Sequence, residues 1–164
     1  MPAKLVIPTA LEDFTEALDN LGAKAEKVSR GAVYEGMRVL ADAYKRNISA
    51  LRVDNTKFVT PHGRKINVVD AETKAAMAEG VGIMRFEKVG HAVRASLSVS
   101  GYGPVKTKKY PGGQPLPMIG RSIEGGTAYR LKQSFSLITI EQNEAQAVDA
   151  MSDYFIEAIQ KMVK

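Results

Sequence analysis

The chain has 164 residues, a formal net charge of +5, and neither cysteine nor tryptophan. That length suits one domain, and a domain of this size buries roughly 70% of its unfolded surface, so its core needs no disulfide or metal staple. The missing cysteines exclude disulfides, thiolate metal sites and cysteine nucleophiles together and fit a reducing compartment. With 7% aromatic residues, the core is expected to be aliphatic with methionine as filler.

Met1-Pro2-Ala3-Lys4-Leu5-Val6-Ile7-Pro8 holds only a short apolar run before a proline, too brief for the hydrophobic region of a signal peptide. Nowhere do about 18 apolar residues run together, so a soluble chain, neither exported nor membrane-spanning, is expected.

Leu11, Phe14, Leu18 and Leu21 are spaced as one face of a helix over residues 10–21, with Thr9 and Glu12 in a capping-box pattern before Gly22. A longer helix is predicted over 23–50. Ala25, Val28, Ala32, Val33, Met37, Leu40, Ala41, Tyr44 and Ile48 form its apolar stripe, and charged residues from Lys24 to Arg46 form its other face. It should be about 40 Å long. Residues 52–70 read as an extended basic loop, with turn chemistry at Asp54-Asn55-Thr56 and Thr60-Pro61-His62-Gly63. Asp70 is a good N-cap for a short helix reaching Glu79, which Gly80 and Gly82 end.

Gly82–Lys88 and His91–Ser100 flank a turn at Val89-Gly90 and predict an antiparallel hairpin. In its second arm Ala92, Arg94, Ser96 and Ser98 alternate with Val93, Ala95, Leu97 and Val99. Residues 101–118, rich in Gly and Pro and carrying three lysines, read as a long loop, and loops of that length are usually functional or ordered by a partner. Met118–Ile123 reads as a third strand and residues 134–141 as a fourth strand or an extended lead-in. Val148, Met151, Phe155, Ile159 and Met162 then mark the core face of a helix over about 143–163. The expected fold is one α+β domain over 1–164: a small, mainly antiparallel sheet packed by a long N-terminal helix and a C-terminal helix, with long loops at 52–70 and 101–118.

No catalytic constellation can be assembled. Two histidines, His62 and His91, are too few for a conventional His-based metal site, and each reads as a turn or edge residue. Gly80-Val81-Gly82 and Gly101-Tyr102-Gly103 lack the third glycine and strand–helix setting of a nucleotide loop. Glu141 and Glu144 are expected near a helix start, where the dipole favours acids without any acid–base role. We therefore expect no enzyme activity, cofactor or metal.

Two basic clusters stand out. Arg52, Lys57, Arg64 and Lys65 form one; Lys106, Lys108, Lys109 and Arg121 form the other, with Tyr102 and Tyr110 beside it. Such residues bind phosphates without reading sequence. The plainer reading is a pair of solvated loops, and the functional one is contact with a neighbouring protein or a lumen.

Ser122-Ile123-Glu124-Gly125-Gly126-Thr127, followed by Gln133-Ser134-Phe135 and a terminal amphipathic helix, resembles the Glu-x-Gly-Thr segment and lead-in of the neck, or tail-completion, proteins of long-tailed bacteriophages. The long helix ending in Lys45-Arg46-Asn47 is similar to that family's N-terminal helix. Ser134 stands where the family has proline, and the residues after Phe135 depart from its Leu-Arg-Pro.

The resemblance implies a virion structural protein, assembled in the bacterial host cytoplasm, that forms a homo-oligomeric ring with a hexamer the favoured number. The ring would join the head connector to tail-tube or tail-terminator proteins and surround the DNA path, with non-specific DNA contact in its lumen. Gly125, Gly126 and Thr127 would form a structural turn, the glycines permitting positive φ where a strand ends. The alternative is a nucleic-acid-binding module using the basic loops.

Overall fold

The computed structural model describes residues 23–53, 58–59, 65–66, 69–90, 92–128 and 130–163. The helix expected over 10–21 lies outside them. The fold is α+β, with four helices among the described residues and only antiparallel strand pairs.

Helix α1, Ala23–Ser49, is the centre of the molecule. Two of its faces are buried, which explains its length without a long run of strongly apolar residues. Val28, Ala32, Gly36 and Ala43 lie along one face. There Gly36 abuts Met151 and the carbonyl of Ala147, and Gly31 abuts the Tyr154 ring, all on the last helix. Small residues let the two helix backbones approach closely. Ala41 and Ile48 join the main core with Leu51, Val69, Met77, Val81, Val99, Leu116, Ile119, Ile123 and Phe135.

Helix α2, Ala71–Glu79, begins as its sequence predicts. Asp70 accepts from the backbone N–H and the hydroxyl of Thr73, both at 2.7 Å, and Thr73 and Met77 face inward. The hairpin also forms, in two parts. Strand β3 (Val81–Ile83) pairs with β6 (Leu97–Val99), and β4 (Glu87–Val89) pairs with β5 (Ala92–Arg94) around Gly90 at φ +62°. The predicted alternation holds from Ala92 to Leu97, with Ala92, Arg94 and Ser96 exposed and Val93, Ala95 and Leu97 half-buried; Ser98, expected on the exposed face, is half-buried, and Val99 is buried. Near its tip the hairpin meets α1 through Lys88–Glu26 at 3.0 Å and the Phe86–Tyr34 ring pair.

Three expectations need correction. The 52–70 loop contains a minimal hairpin of Phe58–Val59 against Lys65–Ile66, which we label β1 and β2. The third strand expected at Met118–Ile123 is helix α3, Leu116–Gly125. Its buried residues Leu116, Ile119, Gly120 and Ile123 follow the helical spacing of 3, 1 and 3, and Pro117 suits a first turn that needs no N–H. Residues 134–141 are not a strand either. Helix α4 runs from Phe135 to Val163, eight residues earlier than expected, because Phe135, Thr139 and Ala147 extend the buried face at helical spacing. Helix α4 lies antiparallel to α1.

Candidate functional site

The Glu-Gly-Gly-Thr segment ends α3 rather than a strand. Gly126 takes φ +70°, and a side chain there would crowd Lys132, with its Cβ 2.9 Å from that of a substituted residue. Glycine is thus required twice over at this position. Gly125, the last residue of the helix, has open space around it. Thr127 and Arg130 exchange backbone hydrogen bonds at 3.0 and 3.2 Å, turning the chain back on itself after the helix.

The returning chain is fastened at several points. Gln133 N donates to the Ile123 carbonyl at 2.8 Å, and the Gln133 Oε1 accepts from Arg52 N at 2.8 Å. Glu124 Oε2 accepts from Ser136 N at 3.0 Å, placing a carboxylate on the first turn of α4. Glu124 is therefore the acid that serves this helix start. Glu141 and Glu144, expected near a helix start, stand beyond the first turn of the helix. Half-buried Arg130 donates to Ser122 Oγ at 2.9 Å; burial draws its pKa below the usual guanidinium value, and Asp70 acts in the opposite direction. Glu124 was visible within the motif, but no spacing pointed to Gln133 or Arg130.

Residues 101–115 are not a structureless loop. Tyr102 bridges to Pro115, Gly103 N donates to the Gln114 carbonyl, Gln114 N to Val105, and Thr107 and Tyr110 bond each other across the tip. These bonds make a narrow arm. Lys106, Lys108 and Lys109 lie exposed near its tip, and Lys109 Nζ sits 5.5 Å from the centre of the Tyr110 ring. Tyr110 in turn donates to Met118 Sδ on α3, one helical turn before exposed Arg121. Of the second basic cluster, the three lysines thus lie on the arm and Arg121 on the helix that Tyr110 touches, and Tyr102 and Val105 on the arm are 68% and 46% exposed.

The first cluster is not assembled among the described residues. Lys57 and Arg64 lie outside them, as do His62 and His91. Lys65 is on β2, and Arg52 is exposed beside Gln133.

Between α3, β6 and the start of α4 lies an open cleft of about 440 Å³, floored by Val99, Gly120 and Phe135 and edged by Tyr44, Arg121, Glu124 and Ser136. The hydroxyls of Tyr44 and Ser136 are 3.1 Å apart, and burial pushes the Tyr44 pKa up, keeping the phenol neutral. Among the described residues no three His, Cys, Asp or Glu come together as a metal site, and no helix is long and apolar enough to cross a membrane.

The terminal helix departs most from expectation. Val148, placed in the core by its spacing, is 44% exposed, and Met151, Phe155 and Ile159 are only half-buried. Leu137 and Ile140 are 54% and 52% exposed. α4 thus covers α1 with one side and leaves a row of apolar residues exposed.

The chain matches no protein-family model, no curated protein and no solved structure.

Proposed function

We propose that the protein is a non-enzymatic structural subunit of the neck of a tailed bacteriophage or phage-tail-like particle. It forms a ring that joins the head connector to the tail and surrounds the DNA path. The observation that carries this reading is the uncovered apolar stripe of α4 (Leu137, Ile140 and Val148) on a helix otherwise fixed along α1. An apolar face of that length suits contact with another protein. The Glu124-Gly125-Gly126-Thr127 segment and the helix it introduces add the resemblance to neck proteins. The ring occupies the virion after assembly in the host cytoplasm, between connector and tail-tube or tail-terminator proteins.

Electron microscopy of particles made without the protein tests this reading. Separate heads and tails are expected, and intact joined virions would refute it.

A second reading, a nucleic-acid-binding module, is favoured by one feature: residues 101–118 carry three lysines and no acid. Salt-sensitive binding of duplex DNA that is lost in Lys106→Glu/Lys108→Glu/Lys109→Glu would support it. Absence of binding at low salt would remove it.

A further inference from the structure

We propose that the outward face of α4 in one subunit docks on the 101–118 arm of the next, so that copies of this chain join head to tail. This deepens the ring assignment by naming the two surfaces that meet, and it rests on that reading only for its place in a particle.

The two surfaces are complementary in charge, and both carry exposed apolar residues beside their charges. The chain as a whole is basic, yet α4 carries Glu141, Glu144, Asp149, Asp153 and Glu157 against Lys161 alone. Leu137, Glu141, Glu144 and Val148 fall at i, i+4, i+7 and i+11, one face of a helix, so two acids lie between two apolar residues along the stripe. The only salt bridge on the described part of α4 joins Lys161 to Glu157, so Glu141 and Glu144 have no cationic partner among the described residues.

The arm is the opposite. Lys106, Lys108 and Lys109 are exposed, no acid occurs between 101 and 118, and no salt bridge engages these lysines among the described residues. Beside them stand Tyr102, Val105 and Met118, exposed at 68%, 46% and 41%. The backbone bonds that hold the arm in shape let it present these groups without first being ordered, which lowers the cost of association.

The two surfaces differ, so the contact is heterologous. Such a contact continues from copy to copy and closes into a ring when the rotation permits. A two-fold pairing of α4 with α4 would instead set acidic faces against each other.

The test uses the purified full-length chain in analytical ultracentrifugation, with circular dichroism to check that each variant is folded. Wild type is expected to form oligomers whose association weakens by about tenfold or more as salt rises from about 0.05 to 0.5 M. Glu141→Lys/Glu144→Lys gives a subunit basic on both surfaces, and Lys106→Glu/Lys108→Glu/Lys109→Glu one acidic on both. Each alone is expected to be monomeric, and an equimolar mixture is expected to regain oligomers, since each variant's surfaces then complement the other's.

A monomeric wild type would overturn the contact and leave a different protein to cover α4. Oligomers unaffected by the arm variant, or no recovery on mixing, would overturn it in favour of another interface. Loss of the neck role would be read separately, from particles lacking the protein, and would leave a head-to-tail oligomer standing.

Discussion

Glu124→Ala is the most direct probe of how the C-terminal third is held together. In the folded chain Glu124 Oε2 lies 3.0 Å from Ser136 N, on the first turn of α4, where backbone N–H groups have no partner within the helix. A hydrogen bond to a charged group contributes about 1.5–3 kcal/mol, and a carboxylate at a helix N-terminus gains about 0.3–1 kcal/mol from the dipole. These contributions overlap, and Glu124 is only half-buried, so a net loss of about 1–2 kcal/mol is expected. For a chain of this length that lowers the melting temperature by about 3–6 °C. Glu124→Gln keeps an acceptor oxygen without the charge and should cost about half as much. Urea denaturation followed by circular dichroism measures all three proteins. If Glu124→Ala is within about 0.3 kcal/mol of wild type, the Ser136 N–H is served equally well by water and the capping role is wrong.

Thr139→Val keeps a buried shape but removes the oxygen that accepts from Asn47 Nδ2 at 2.8 Å, so a loss of about 1–3 kcal/mol is expected in urea denaturation. Asn47→Ala should then cost much less in the Thr139→Val background than in wild type. Gly36→Ala gains about 1 kcal/mol of helix propensity. It also pushes a methyl against Met151 and the Ala147 carbonyl, and overpacking of about 1–3 kcal/mol should leave it less stable than wild type by differential scanning calorimetry. Tyr44 is neutral in both folded and unfolded chains well below pH 10.0; above it the unfolded phenol ionises first, the unfolded state holds fewer protons, and stability falls as pH rises toward the raised folded value. Tyr44→Phe should therefore decline less steeply than wild type above pH 10.0 in urea midpoints measured across that range.

The parts legible in the sequence were those where local chemistry and tertiary packing agree. Asp70 caps α2 through Thr73, Gly90 turns the hairpin, and Val93, Ala95, Leu97 and Val99 face inward as their alternation requires. Helices α3 and α4 were harder because their β-branched residues favour strand locally. Ile119, Ile123, Ile138, Thr139 and Ile140 all sit in helices, and the decisive pattern there is the helical spacing of the residues that become buried. The arm was read as an unstructured loop because its order comes from backbone bonds between Gly103 and Gln114 and between Thr107 and Tyr110, which no side-chain period records.

Helix α4 shows why a correct helix can still be assigned the wrong face. Val148, Met151, Phe155 and Ile159 have the spacing of a core stripe, and spacing alone cannot say whether the core belongs to this chain or to a neighbour. Within the described fold α1 is already covered through Gly31, Gly36 and its alanines. Close approach there uses the side of α4 bearing Ala147, Met151 and Tyr154, and Leu137, Ile140 and Val148 remain exposed, with Glu141 and Glu144 among them. Carboxylates within a stripe meant for the interior of one domain would each require a buried partner, at a cost of several kcal/mol if unpaired. On an outward face they cost little, and against the lysines of the arm they become attractive. The same acids that disqualify the stripe as a domain core are thus the ones that the proposed docking on a basic arm would use.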